Sequence, residues 1–306
     1  MVLKYKFRGL MSPVFTPFLR DTGDVDLDAI PEYAEFLRER GVTGILVNGT
    51  VGEGVCMTAS ERKLVAEVWV KASNKTGQTI MVQIGGTCLK HVKELAKHAE
   101  TIGASAILCL AELFHRPQNV DQLVSYLQEV GKSAPNTPLL YYHYPSITGI
   151  NLDMHEFLQE GAKKIPTLAG IKFTHTNLEE GAHCLNVQNG DFGVFLGNDQ
   201  IMAAAFLLGF DSLIATTLNI MPEKIIKIQK CVKEGNNSEA LRTQQELVKI
   251  ILTITKYGGW VPTMKVAMHL MTGFDFGEPR KPQTALTEQQ INDLRKDLEA
   301  LNLIKK

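Results

Sequence analysis

The run Gly9-Leu10-Met11-Ser12-Pro13-Val14-Phe15, continued by Thr16-Pro17-Phe18, decides between two α/β architectures. A short apolar segment of this kind suits a parallel strand covered on both faces. An open, doubly wound sheet that binds a dinucleotide leaves its first strand through a glycine-rich turn, and Thr16-Pro17-Phe18 stands where that turn belongs. Seven further apolar runs follow, at residues 44–47, 79–84, 105–110, 138–143, 168–174, 192–196 and 212–216. Between them, helical periodicity runs over residues 30–40, 64–71, 90–101, 121–130, 153–162 and 177–188, opened by signals such as Asp26-Leu27-Asp28 and Ser60-Glu61-Arg62. Parallel strands need crossover connections, so the alternation predicts a parallel sheet, and its eight repeats predict closure into a (β/α)8 TIM barrel. Residues 239–257, 262–271 and 287–301 read as further helices. The expected organisation is a single catalytic domain over residues 1–306, with the barrel at about 8–225 and a C-terminal helical extension at about 226–306.

Composition narrows the function. Lys plus Arg, 32, nearly balances Asp plus Glu, 33, and no basic stripe interleaves with aromatics, so the expected partner is a small molecule and not nucleic acid. Hydrophobic residues at 44% with charged residues at 21% describe a chain that folds in water. The positive residues at the N-terminus precede no apolar segment of secretory length, and no later stretch reaches membrane-spanning length, so a cytoplasmic protein without membrane association is expected. Cys56, Cys88, Cys109, Cys184 and Cys231 are odd in number, scattered and never in a C-x-x-C pair. That pattern argues for reduced thiols and against a disulfide framework or a zinc site.

The sixth run, Leu168-Ala169-Gly170-Ile171-Lys172-Phe173-Thr174, carries a lysine where a solvated side chain has no obvious place. Two readings weigh about equally from this segment: a lysine at a strand end reaching solvent or a buried carboxylate, and a nucleophile. Apolar surroundings strip the ammonium of hydration and lower its pKa toward neutrality, which yields the free amine that attacks a carbonyl. In a (β/α)8 barrel, reactive groups gather at the C-terminal ends of the strands. The fifth run ends Tyr141-Tyr142-His143-Tyr144-Pro145, placing a phenol one strand from Lys172. A cationic Schiff base beside it would lower its pKa and suit it to shuttling a proton to or from a substrate hydroxyl; the alternative is an aromatic packing residue. Alternation alone does not say whether Tyr141 or Tyr142 points inward. The second run enters Asn48-Gly49-Thr50-Val51-Gly52-Glu53-Gly54, whose glycines either let backbone N–H groups converge on an anion or serve only the turn.

Arg8-Gly9 with Thr16-Pro17-Phe18, Gly49-Thr50-x-Gly52-Glu53, Tyr142-x-x-Pro145 with Gly149, Gly170-x-Lys172-x-Thr174 and Gly197-x-Asp199 follow one another along the chain, each at an expected strand end. In that order they resemble the N-acetylneuraminate lyase and dihydrodipicolinate synthase family. The runs Val47-Asn48-Gly49-Thr50, Ser60-Glu61-Arg62 and Tyr141-Tyr142-His143, with the helix carrying Lys265, are most similar to the animal lyases of that family. The resemblance implies a class I aldolase in a single barrel, a homotetramer, working through a lysine imine with no metal and no organic cofactor. It implies that Lys172 attacks the C2 ketone of open-chain sialic acid or a related 2-keto sugar acid, that Tyr142 exchanges protons there and at the C4 hydroxyl, and that pyruvate and N-acetylmannosamine leave. Thr50 would hydrogen-bond Tyr142 and, with the Val51 amide, hold the pyruvoyl carboxylate. Thr174, Gly197, Asp199, Gln200 and Thr216 would complete the substrate site.

Several positions depart from the family pattern. Val51 replaces a second hydroxyl donor, a change that weakens pyruvate binding by roughly 1 kcal/mol. Gln200 stands where the lyases carry a glutamate for the glycerol hydroxyls, Thr216 where they carry a serine, Phe114 where relatives supply a tyrosine to a proton relay across a subunit interface, and Glu112 where a proline is usual. His175, after the lysine strand, either enters the pocket or is a structural group. Val51, Gln200 and Thr216 motivate an alternative, another pyruvate-dependent aldolase or synthase acting on a 2-keto-3-deoxy sugar acid. Dihydrodipicolinate synthesis is disfavoured, because Ser146-Ile147-Thr148-Gly149-Ile150 lacks the arginine that holds a dicarboxylic substrate. A sugar-acid binding protein of low turnover ranks last, since Lys172 and Tyr142 are both present.

Overall fold

The computed structural model describes residues 3–305. Strands β1 (Leu10–Pro13), β2 (Gly44–Val47), β3 (Thr79–Gln83), β4 (Ala106–Cys109), β5 (Leu139–His143), β6 (Leu168–Phe173), β7 (Gly193–Leu196) and β8 (Ser212–Ile214) pair in parallel and in sequence order. β8 pairs back onto β1, which closes the barrel. Each apolar run forms one strand, and the expected TIM barrel with a C-terminal helical extension is the observed fold. The outer layer comprises α1 (Ile30–Glu39), α2 (Ala59–Thr76), α3 (Leu89–Thr101), α4 (Val120–Gly131), the short α5 (Pro145–Thr148), α6 (Met154–Lys164), α7 (Leu178–Leu185), α8 (Met202–Leu207) and α9 (Pro222–Lys233). The extension holds α10 (Asn237–Thr255), α11 (Trp260–Thr272) and α12 (Glu288–Ala300).

Strand alternation sorts the apolar side chains into two cores. Met11, Leu46, Met81, Leu108, Leu140, Phe195 and Ile214 pack together within the barrel. Ile45, Val82, Ile107, Leu139 and Val194 join the larger cluster with the helices. Phe7 stacks on Phe195 at 6.3 Å between ring centroids and, with Tyr5, closes the N-terminal mouth. Reactive groups are thereby confined to the opposite end.

Two helix boundaries differ from the sequence reading for local reasons, and two helices, α8 and α9, are absent from it. α2 begins at Ala59 and not near Leu64, because Thr58 and Glu61 form a reciprocal capping box. The helix expected over 177–188 ends at Leu185, and Gln188 and Asn189 turn into the left-handed region. α8, Met-Ala-Ala-Ala-Phe-Leu, is apolar throughout and so shows no periodicity to read. α9, Pro222–Lys233, is the second helix that the sequence reading does not contain. No helix among the described residues is long and apolar enough to cross a membrane, and all five cysteines are free thiols.

Candidate active site

A β-bulge decides where Lys172 points. Leu139 on β5 faces Leu168 on β6, but Leu140 faces Gly170, so Ala169 is an extra residue and turns into the barrel. Alternation is reset beyond it. Lys172, which would share the outward face of Leu168 in an unbroken strand, instead points inward directly opposite Tyr142. Gly170 is required at this point: its φ is +151°, and a Cβ there would lie 2.0 Å from the Gly193 carbonyl oxygen.

The Lys172 side chain is buried, its Nζ donates to Tyr142 Oη at 3.1 Å, and it sits 4.1 Å from the centroid of the same ring. Burial pushes its pKa down to about 7, opposed by the Asp199 carboxylate. A substantial fraction of the amine is therefore uncharged at neutral pH. Tyr142 Oη lies 2.9 Å from Thr50 Oγ1, so amine, phenol and hydroxyl form one continuous chain. Tyr141 takes the outward face and packs on Phe157.

The phenol of Tyr142 is pushed up to about 12 by burial, with the Thr50 hydrogen bond pulling it part of the way back, so it is neutral in the free site. The lowering expected beside a cationic Schiff base concerns the state in which that imine has formed.

The loop after β2 follows an unexpected logic. Its left-handed residues are Asn48 and Glu53, at φ +59° and +53°, and not the glycines. Gly54 is needed because a Cβ would stand 2.0 Å from the Asn48 carbonyl oxygen. Thr16 donates to the Gly52 carbonyl at 2.6 Å, which anchors the loop to the segment after β1. The Val51 amide closes no backbone hydrogen bond among the described residues and so keeps a free donor beside Thr50.

Glu53 is buried, and its Oε1 lies 2.9 Å from Lys265 Nζ on α11. Its Oε2 accepts from the Arg280 amide and from Gln283 Nε2, both at 2.7 Å. Lys265 also donates to the Thr16 carbonyl at 3.2 Å. The extension thus clamps the loop that positions Thr50. Burial lowers the Lys265 pKa and Glu53 opposes that shift. Lys265→Met strands a buried carboxylate and is expected to destabilise the fold by about 3–5 kcal/mol. Urea unfolding should show a lower midpoint at unchanged slope, and adding Glu53→Gln should restore most of the loss.

Lys172, Tyr142, Thr50, Val51, Thr174, Gly197, Asp199, Gln200 and Thr216 all line one cavity of about 370 Å³. Their surroundings differ. The Thr174 hydroxyl is out of solvent and makes no well-formed hydrogen bond among the described residues, and Gly197 makes room for it, since a Cβ there would lie 2.0 Å from that oxygen. Asp199 Oδ1 already accepts from the Thr217 amide at 2.8 Å and its hydroxyl at 2.7 Å, holding the turn Thr216–Asn219, and burial raises its pKa. Gln200 stands exposed at the rim. Phe114 is 86% exposed and outside this cavity, on a segment where Glu112 accepts the Phe114 amide. His175 does line the cavity.

Trp260, Tyr144 and Ser146 line the cavity too and were not singled out from sequence. Tyr144 follows the triplet already noted and stacks on Tyr142 at 5.8 Å. Trp260 opens α11, and its indole N–H donates to Thr216 Oγ1 at 3.1 Å. A contact across 44 residues leaves no local signal.

Sequence and structure comparisons place the chain among known proteins. The profile of the dihydrodipicolinate synthetase family matches residues 6–301. N-acetylneuraminate lyase of Rattus norvegicus is 33% identical over 303 residues, 98% of this chain and 94% of that protein. The Sus scrofa N-acetylneuraminate lyase is 34% identical over 304 residues, 98% of this chain and 95% of its own length. Among solved structures, Proteus mirabilis N-acetylneuraminate lyase superimposes with a TM-score of 0.92 at 34% identity, covering 98% of this chain and 100% of that one. With the profile spanning nearly its whole length, the chain belongs to the dihydrodipicolinate synthetase family.

Proposed function

We propose that this protein is a class I aldolase cleaving N-acetylneuraminate to pyruvate and N-acetylmannosamine. One observation carries the reading: a buried lysine amine with a pKa near 7 hydrogen-bonded to a phenol that is itself bonded to Thr50. The relatives named N-acetylneuraminate lyase support the substrate.

In this reading Lys172 Nζ adds to the C2 ketone of the open-chain sugar acid, and the carbinolamine loses water to give a protonated imine. Thr50 and the Val51 amide hold the carboxylate. The imine supplies the positive charge that the free amine lacks, and this charge lowers the Tyr142 pKa at the step that needs a base. Tyr142 takes the C4 hydroxyl proton, the C3–C4 bonding electrons flow into the imine, and N-acetylmannosamine leaves as its aldehyde. Protonation of the enamine at C3 and hydrolysis of the imine release pyruvate and restore the amine. Asp199, Gln200 and Thr216 face the sugar end of the cavity.

Borohydride added with pyruvate is expected to leave a reduced adduct on Lys172 in a peptide mass map, and a panel of keto acids scored by pyruvate release is expected to rank N-acetylneuraminate first. An unmodified Lys172 would falsify the aldolase assignment; an inert N-acetylneuraminate beside another active keto acid would overturn the substrate alone. A specific contact favours the second outcome. The Thr216 hydroxyl is already engaged by Trp260, and Gln200 brings no charge to a polyhydroxyl tail, an arrangement suited to a shorter 2-keto-3-deoxy sugar acid. The reading extends to a single catalytic unit that assembles as a cytoplasmic homotetramer, supported by the exposed Phe114, Ile147 and Val55 around the barrel mouth.

A further inference from the structure

His143 is the last residue of β5 and takes its outward face, away from Lys172. Its ring stacks on Phe173 at 5.4 Å and meets His175 edge-on at 5.8 Å between centroids. His143 is fully buried, and neither of its ring nitrogens has a hydrogen-bond partner among the described residues; His175 Nδ1 is likewise out of solvent and unpartnered among them. Three such nitrogens side by side are costly unless something binds them. Glu180, in the first turn of α7, completes the group, and one ligand atom from each of the three residues lies within 4.8 Å of the others.

We propose that His143, His175 and Glu180 bind a first-row divalent cation of the Zn2+ class, with water in the fourth tetrahedral position. Two imidazoles and a carboxylate form a donor set that zinc accepts with an open site. Bonds of about 2.0–2.2 Å require the ligand atoms to draw together. The carboxylate is already oriented by its own partners, the Met154 amide at 2.9 Å and Asn177 Nδ2 at 3.4 Å. Such outer bonds are what aim a ligand at a metal. His175 lines the substrate cavity, which gives the ion a route in. A bound ion would tie the segment after β6, beginning with Thr174, to α7, bracing the catalytic strand without joining its chemistry.

The test titrates the chelator-treated full-length protein with Co2+ and then Zn2+. One equivalent is expected to bind, Co2+ with the visible absorption of a four-coordinate site and Zn2+ with a rise in Tm. His175→Ala and Glu180→Gln should each weaken binding by more than the roughly 10- to 100-fold typical of losing an outer-sphere partner. Glu180→Gln should keep the borohydride adduct on Lys172, which separates loss of the ion from loss of the aldolase site. Circular dichroism identifies a variant that fails to fold, and the other variant then decides. No stoichiometric binding overturns the proposal. Binding that survives both substitutions places the ion elsewhere, for example at His155 and His183, and overturns it equally.

Discussion

Lys172→Met is expected to lower kcat by about 10^5-fold or more while making the fold more stable at neutral pH by about 2–4 kcal/mol. The activity loss follows from removing the only atom that forms the covalent bond. The stability gain follows from burial. The amine titrates at 10.5 when unperturbed and at about 7 in the folded chain. Between those values the unfolded chain binds a proton that the folded chain does not, so stability rises with pH across that window. The penalty is absent above about pH 10.5, grows as pH falls, and is complete below about pH 7, where the span corresponds to roughly 5 kcal/mol. The lost amine–phenol hydrogen bond, about 1 kcal/mol, and imperfect packing offset part of it. Urea unfolding of both proteins at pH 7 and near pH 10 measures this directly. The gap should be largest at pH 7 and close toward pH 10; a gap independent of pH would show that the amine is not held uncharged. The wild-type kcat/KM should correspondingly rise through an apparent pKa near 7 as the amine loses its proton.

Tyr142→Phe is expected to lower kcat by about 10^2–10^4-fold. The ring keeps its stacking on Tyr144 and its place beside Lys172, and only the oxygen shared by Lys172 and Thr50 is removed. Trapping of pyruvate on Lys172 should persist, more slowly, because the nucleophile remains. Steady-state pyruvate release compared with single-turnover trapping separates the two roles: a carbon–carbon cleavage step that needs the phenol as base should suffer more than imine formation. A variant within about threefold of wild type in kcat would remove Tyr142 from proton transfer and leave it a packing residue.

These two positions also mark how far the sequence could be read. Lys172 announces itself by interrupting an apolar run, and a lysine in a strand covered on both sides has few physical explanations. Its direction was not legible. The bulge at Ala169 reverses the alternation that a period-two reading would follow from Leu168, and it is visible only in the pairing with β5. Strand alternation alone did not separate Tyr142 from Tyr141; the Tyr142-x-x-Pro145 resemblance did, and the pairing with β6 puts Tyr142 across from Lys172. The raised pKa of its phenol in the free site was not legible either, because the burial that lowers the lysine pKa and disfavours the phenolate is a property of the closed barrel. The role of Glu53 was hidden for a different reason: its partners Lys265, Arg280 and Gln283 lie more than 200 residues away.

Hydrophobic patterning is a local property, and from it the chain's own letters gave eight apolar strands, six of the intervening helices, the expectation of a closed parallel barrel and the strand ends at which reactive side chains gather. Long-range contact is not local. The inward turn of Lys172, the suppressed ionisation of its amine and of Tyr142, the clamp of α11 on the β2 loop and the capture of Thr216 by Trp260 were decided only when the barrel closed and excluded water. Burial and register are properties of the assembled fold, and here they turn a lysine, a tyrosine and a threonine into one hydrogen-bonded site.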